Sequence, residues 1–197
     1  MSTSAVWASA AISYGIFWYW YVGFRGKITP REVEETMRLC DVHKFGTENQ
    51  RQHLRRFLAN DDGKDFVMVN LLHLKTPLGE SRRKLDSYQK IFLGALLRKA
   101  GHPVMMARAA TGNLENVASE QADDWTAAGM VRYRSRRDFM EMLPDTVGSP
   151  HHGLKLESLE KTFAFPASRW FMFGGPRIVV ALSIALIAAI IQMAGGA

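Results

Sequence analysis

The string Ser149-Pro150-His151-His152-Gly153 sets two imidazoles side by side, and imidazole is the side chain that ligates haem or a metal, or acts as a base near neutral pH. Adjacent histidines on one loop rarely both face one metal, however. No carboxylate stands at a ligand spacing such as His-x-x-Glu-His, so a polar turn before a helix is the plainer reading. His73 and His102 stand alone, the latter in a turn between Gly101 and Pro103. A second group is basic. In a strand over Trp125 to Arg134, a period of two puts Arg132 and Arg134 on one face with Met130. Arg108 and Asn70, each on another strand, could join them in a pocket for an anionic or carbonyl-bearing ligand, because a buried guanidinium needs an acceptor. The competing reading pairs these arginines with Asp123, Asp124 or Asp138. The candidate ligand-binding residues are therefore Asn70, Arg108, Arg132, Arg134, His151 and His152; no catalytic residue is assigned, and no metal is expected.

Other chemistries are excluded by what the chain lacks. It has no glycine-rich phosphate loop, no G-x-S-x-G elbow and no clustered acid pair, which removes nucleotide hydrolases, dinucleotide oxidoreductases and serine hydrolases. The single cysteine, Cys40, rules out an intramolecular disulfide and any thiolate-rich metal site. No cofactor is expected, haem being the alternative that the histidines leave open.

The elements that must position these residues alternate in type. Phe66 to Leu74 is a nearly continuous apolar run fit for a central strand, and Leu85, Tyr88, Phe92, Ala95, Leu96 and Lys99 then recur at helical spacing up to Gly101 and Pro103. Val104 to Ala110 and Trp125 to Arg134 read as strands. Ser135 caps a helix that Pro144 should stop, a further helix runs through Leu154 to Leu159, and Lys161 to Ala167 closes the series. Strand, helix, strand, strand, helix, strand is the ferredoxin-like split arrangement of an α+β module over residues 65–168. One face of so small a sheet needs cover, which predicts a dimer.

The run from Phe66 to Ala167 resembles the dimeric α/β-barrel superfamily, in its short branch. The likeness is carried by the helix through Tyr88, the Ala100-Gly101-His102-Pro103-Val104 junction, the strand Trp125 to Tyr133 followed by Arg134-Ser135-Arg136, and the closing Glu160-Lys161-Thr162-Phe163. It implies a barrel built by two copies. Members of that superfamily include cofactor-independent monooxygenases, haem-binding enzymes, muconolactone-isomerase-like proteins and non-catalytic ligand or partner modules, so the fold does not choose among chemistries.

Charge is segregated along the chain. All 25 Lys+Arg and 19 Asp+Glu lie between Arg25 and Arg177. The uncharged run over residues 5–24 is long enough, at about 1.5 Å per residue, to cross the roughly 30 Å hydrocarbon layer. A second apolar run lies at 177–194. Trp18, Trp20 and Trp170 sit where interfacial aromatics belong, and Arg25, Lys27 and Arg177 flank the runs on their inner sides. The positive-inside rule then predicts a two-pass protein of a bacterial-type inner membrane, with a cytoplasmic centre and both termini outside. Neither run carries a charge, which argues against a pump or channel. Thr29-Pro30-Arg31-Glu32 opens a basic helical connector over 29–60 whose Arg51, His53, Arg55 and Arg56 could meet anionic headgroups. A net charge of +6 and a pI near 9.6 are accounted for by these boundaries, so nucleic acid is not an expected partner. The expected partners are membrane lipids and a second copy or other membrane subunits. The expected role is a membrane-anchored, non-catalytic accessory or scaffold subunit. The alternative is a tethered monooxygenase- or isomerase-like enzyme, or a sensor, for a small quinone- or lipid-like molecule.

Overall fold

The computed structural model describes residues 2–115, 117, 124–146, 149–169 and 174–195, apart from the side chains at 146, 150 and 151. They fall into two compact units, Arg25–Ser168 and the paired ends Met1–Phe24 and Arg169–Ala197.

The larger unit opens with two capped helices. In α2 (Pro30–Val42) the Glu32 backbone N–H donates to the Thr29 hydroxyl (3.3 Å), and the Thr29 N–H donates back to the Glu32 carboxylate (2.7 Å). Thr47 and Gln50 repeat the device at the start of α3 (Glu48–Ala59). Each reciprocal pair satisfies two N–H groups that a helix start leaves open. Val33, Met37 and Cys40 share one face of α2 and pack with Leu58 of α3 and Met140 of α5 (Arg136–Thr146). The connector is thus built into the larger unit. Cys40 is wholly buried there, and burial pushes its thiol pKa up.

Around this lies an α+β arrangement. Four antiparallel strands, β1 (Phe66–Leu74), β2 (His102–Arg108), β3 (Ala127–Tyr133) and β4 (Leu159–Ala167), form one sheet in the order β2-β3-β1-β4. α4 (Leu78–Arg98) links β1 to β2, while α5 and α6 (Pro150–Ser158) link β3 to β4. This is the strand order that a βαββαβ chain generates.

Three details depart from the sequence reading. Pro144 does not stop α5, which continues to Thr146; a proline this near a helix end forfeits a single backbone bond. α6 begins at Pro150 instead of Leu154, because the Ser149 hydroxyl caps it by accepting from the His152 N–H (3.2 Å) and proline suits a first helical position. At the end of α4 the left-handed residue is Ala100 (φ 54°), not glycine. Gly101 is needed for a different reason: a Cβ there would stand 2.8 Å from the Arg132 carbonyl oxygen and 2.4 Å from Leu96.

The smaller unit is a pair of helices, α1 (Thr3–Val22) and α7 (Pro176–Gly195). Among the described residues α7 is the one helix both long and apolar enough to cross a membrane, with a mean hydropathy of 2.5. α1 is equally long, at 20 residues, and uncharged. Its tryptophans, tyrosines and serines hold it below that standard, since their polar atoms offset the apolar surface. By length and composition the expectation of two spans is met at one. The helices run antiparallel. Trp7 Nε1 donates to Gln192 Oε1 (2.7 Å) at one end, and the Arg177 guanidinium lies 5.8 Å from the Tyr21 ring centre at the other. Ala188 is the buried small residue of α7.

Candidate functional site

Alternation along the strands gives the sheet two unlike faces. Met68 and Asn70 of β1, Gly129 and Val131 of β3, and Met106 of β2 share the face under the helices. Between them and α4, α5 and α6 lies a mainly apolar cavity of about 210 Å³. One wall is aromatic. Phe66 stacks on Tyr133 (5.1 Å), Phe139 meets Tyr133 edge-on (5.2 Å), and Tyr88 stacks on Phe92 (5.7 Å). Burial raises both phenols, Tyr88 to about 12, so they stay neutral. Gly129 leaves room: a Cβ there would press on Met106 Sδ at 3.2 Å.

The polar groups on this wall come largely from α6. His152 and Lys155 are three residues apart, hence neighbours on one helix face, and both line the cavity. The Lys155 ammonium group lies 5.9 Å from the Tyr88 ring centre, and among the described residues no carboxylate pairs with it. Burial pushes its pKa down. His152 Nδ1 is buried with no hydrogen-bond partner among the described residues. Burial lowers the His152 pKa, and the Lys155 charge lowers it further. Asn70 donates to the Met68 (3.2 Å) and Gly129 (3.4 Å) carbonyl oxygens. Its own carbonyl oxygen then remains as an acceptor at the cavity wall.

The residues expected from the sequence separate. Asn70 and His152 line this cavity. Arg132 projects from the opposite face and is buried, its Nε donating to Asp65 (2.8 Å) and its Nη1 to the Ala100 carbonyl (2.7 Å). Arg134 binds Asp138 through Nε and Nη2, both at 2.8 Å. Asp138 also takes the Ser135 hydroxyl (2.8 Å). Burial alone would raise the Asp138 carboxyl, but these donors hold it below its ordinary value. Both arginines are committed to fixing the end of α4 and the start of α5. Arg108 lines a separate, more open hollow of about 580 Å³, with Arg82 and Asp86. The expected gathering of Asn70, Arg108, Arg132 and Arg134 in one pocket therefore does not form, because a strand's alternation sends Arg132 away from Asn70 and acidic neighbours claim two guanidinium groups. The His151 side chain lies outside the described residues. Lys155 and Tyr88 were missed as site residues; the Ser149-Pro150 helix start, read as a cap, would have put His152 and Lys155 on one face.

Of the expected interface residues, Trp18, Trp20 and Lys27 are exposed, and Trp170 lies outside the described residues. Arg25 is bound to Glu141 (2.6 Å) instead of standing free. On α3, Arg51 pairs with Asp41 and Glu48, and Arg55 with Glu34, so acids offset part of the basic face.

No family model matches the chain, and no curated protein does. Its fold is similar to that of the solved RPA0582 protein of Rhodopseudomonas palustris, a protein of unknown function. Identity is 18%, with a TM-score of 0.51, covering 64% of this chain and 96% of that one. The methylated form of RPA0582 matches at the same identity and TM-score, over 66% of this chain and 96% of that one.

Proposed function

We propose that this chain is a membrane-anchored protein whose α+β unit holds a small, largely apolar molecule bearing one polar head, as a sensor or as an enzyme acting on it. The carrying observation is the apolar cavity into which α6 sets an amine and an imidazole that no neighbouring acid uses. Buried cations without a counter-charge are costly, and such groups gather where a ligand completes them. The experiment is native mass spectrometry of the full chain released from mild detergent. A retained small molecule that Lys155→Met loses supports the reading; a chain of bare mass, unchanged by added octan-1-ol, opposes it.

An accessory or scaffold role rests on a different observation. The far face of the sheet carries Val69, Leu71, Met130, Phe163 and Phe165, with Phe163 55% and Phe165 43% exposed. A second copy laid on that face would cover it, as the dimeric α/β-barrel resemblance implies. Sedimentation equilibrium of the full chain tests this: a monomer at micromolar concentration removes the dimer and weakens the scaffold role. For the anchor we infer a two-pass helical pair with both termini outside a bacterial-type inner membrane and the larger unit in the cytoplasm. The absence of Lys and Arg outside Arg25 and Arg177 supports it, as does the Trp7 to Gln192 bond, since a glutamine in lipid calls for a partner. Reporter fusions at each end test it.

A further inference from the structure

We propose that the head group of the ligand is an aldehyde or ketone, and that Lys155 captures it covalently as an imine with His152 as the proton carrier. The proposal rests on the ligand-binding reading of the cavity and adds the chemistry of its head. Lysine becomes a nucleophile toward carbonyls when an apolar site strips water from its ammonium or when another cationic group stands beside it. Lys155 meets the first condition: it lines an apolar cavity and no carboxylate pairs with it among the described residues; His152, one turn away on the same helix face and kept neutral at pH 7 by burial, is a proton carrier and not a second charge. Burial lowering the lysine pKa agrees, because it enlarges the neutral fraction that attacks. An anion-binding lysine would instead be held in its charged form.

The step balances without a co-reactant. The neutral amine nitrogen forms a bond to the carbonyl carbon, and the oxygen takes up the amine's proton to give a carbinolamine. Loss of the second nitrogen proton and of the hydroxyl group as water then leaves the carbon–nitrogen double bond. A proton must reach the departing hydroxyl in a site with little water. His152 Nδ1, buried and unpartnered among the described residues, is the group placed to relay it. The amine against the Tyr88 ring sets the polar head on the α6 side of the cavity and leaves the apolar body to Met68, Val131 and Phe139.

The test uses the full chain in non-ionic detergent at pH 7, with octanal as the probe and sodium cyanoborohydride to fix any imine as a stable secondary amine. Peptide mapping by mass spectrometry then gives the rate at each lysine. Each unit by which burial lowers an amine's pKa raises its neutral fraction at pH 7 about tenfold. Lys155, whose pKa burial lowers, should therefore label faster than the exposed Lys27, Lys64 and Lys90. Excess octan-1-ol, which fits the same space without a carbonyl, should slow Lys155 selectively. His152→Gln should slow Lys155 while leaving the exposed lysines unchanged. Labelling of Lys155 no faster than the exposed lysines overturns the proposal. If native mass spectrometry still finds one octanal or octan-1-ol bound per chain, the imine falls while the cavity reading stands. If neither binds, both fall together.

Discussion

Lys155→Met removes a partly buried amine and keeps most of its apolar stem. In a protein where this lysine serves a ligand, its charge works against folding. Methionine in its place should raise stability at pH 7 by about 1–3 kcal/mol, the usual cost of burying an uncompensated polar group. For a chain of this length that is roughly 2–12 °C in Tm, at about 2–4 °C per kcal/mol. The sign of the pH dependence is fixed too. The folded chain holds the Lys155 proton less tightly than the unfolded chain does. Between the lowered folded pKa and the ordinary 10.5, the unfolded chain therefore binds more protons, and stability rises with pH across that window. Tyr88, facing the amine from α4 and titrating only near 12, stays neutral throughout, and His152 titrates below its ordinary 6.5. Thermal unfolding of both chains between pH 6 and pH 10 is the assay. Wild type should stabilise with rising pH relative to Lys155→Met, the two converging at the alkaline end. A variant that melts lower than wild type at pH 7 would refute the reasoning, since the amine would then be holding the fold together.

His152 gives an acid counterpart. Its folded pKa lies below the ordinary 6.5, so stability is complete above about pH 6.5 and falls as pH drops from there toward the lowered value; His152→Gln should flatten that part of the melting profile. Arg132→Met should cost about 3–5 kcal/mol by leaving Asp65 without its counter-charge, while added octan-1-ol still binds. Gln192→Leu should weaken the pairing of α1 with α7 by about 0.6–2 kcal/mol, read as a double-mutant cycle with Trp7→Phe in detergent unfolding.

Periodicity located every strand and helix of the sheet region in the sequence, because apolar runs and caps are local signals. The capping box at Thr29 was legible for the same reason. What escaped was long-range. Nothing local says that Asp65 would take Arg132, or that Glu141 would bind Arg25 and Lys99 together. The period of two was itself correct for Met130 and Arg132, which share one face of β3, while Arg134 lies just past the strand's end. Which face looked toward the helices was set by Met68, Val131 and Tyr133 packing under α4 and α5, and that depends on the whole fold. Lys155 was hidden by a boundary error: with α6 starting at Leu154, His152 fell in a loop and had no neighbour on a helix face. Among the described residues α1 matched α7 in length but not in apolarity, which a count of charges could not distinguish.

The central claim is that the space between the sheet and the helices receives a small apolar molecule. Methionine-methyl NMR of the full chain in detergent reads it directly, because Met68, Met106 and Met142 line the cavity, whereas Met105, Met130 and Met193 lie elsewhere. Titration with octan-1-ol should move the resonances of Met68, Met106 and Met142 saturably and leave those of Met105 and Met130 in place. Shifts confined to Met193, or none that saturate, would contradict it.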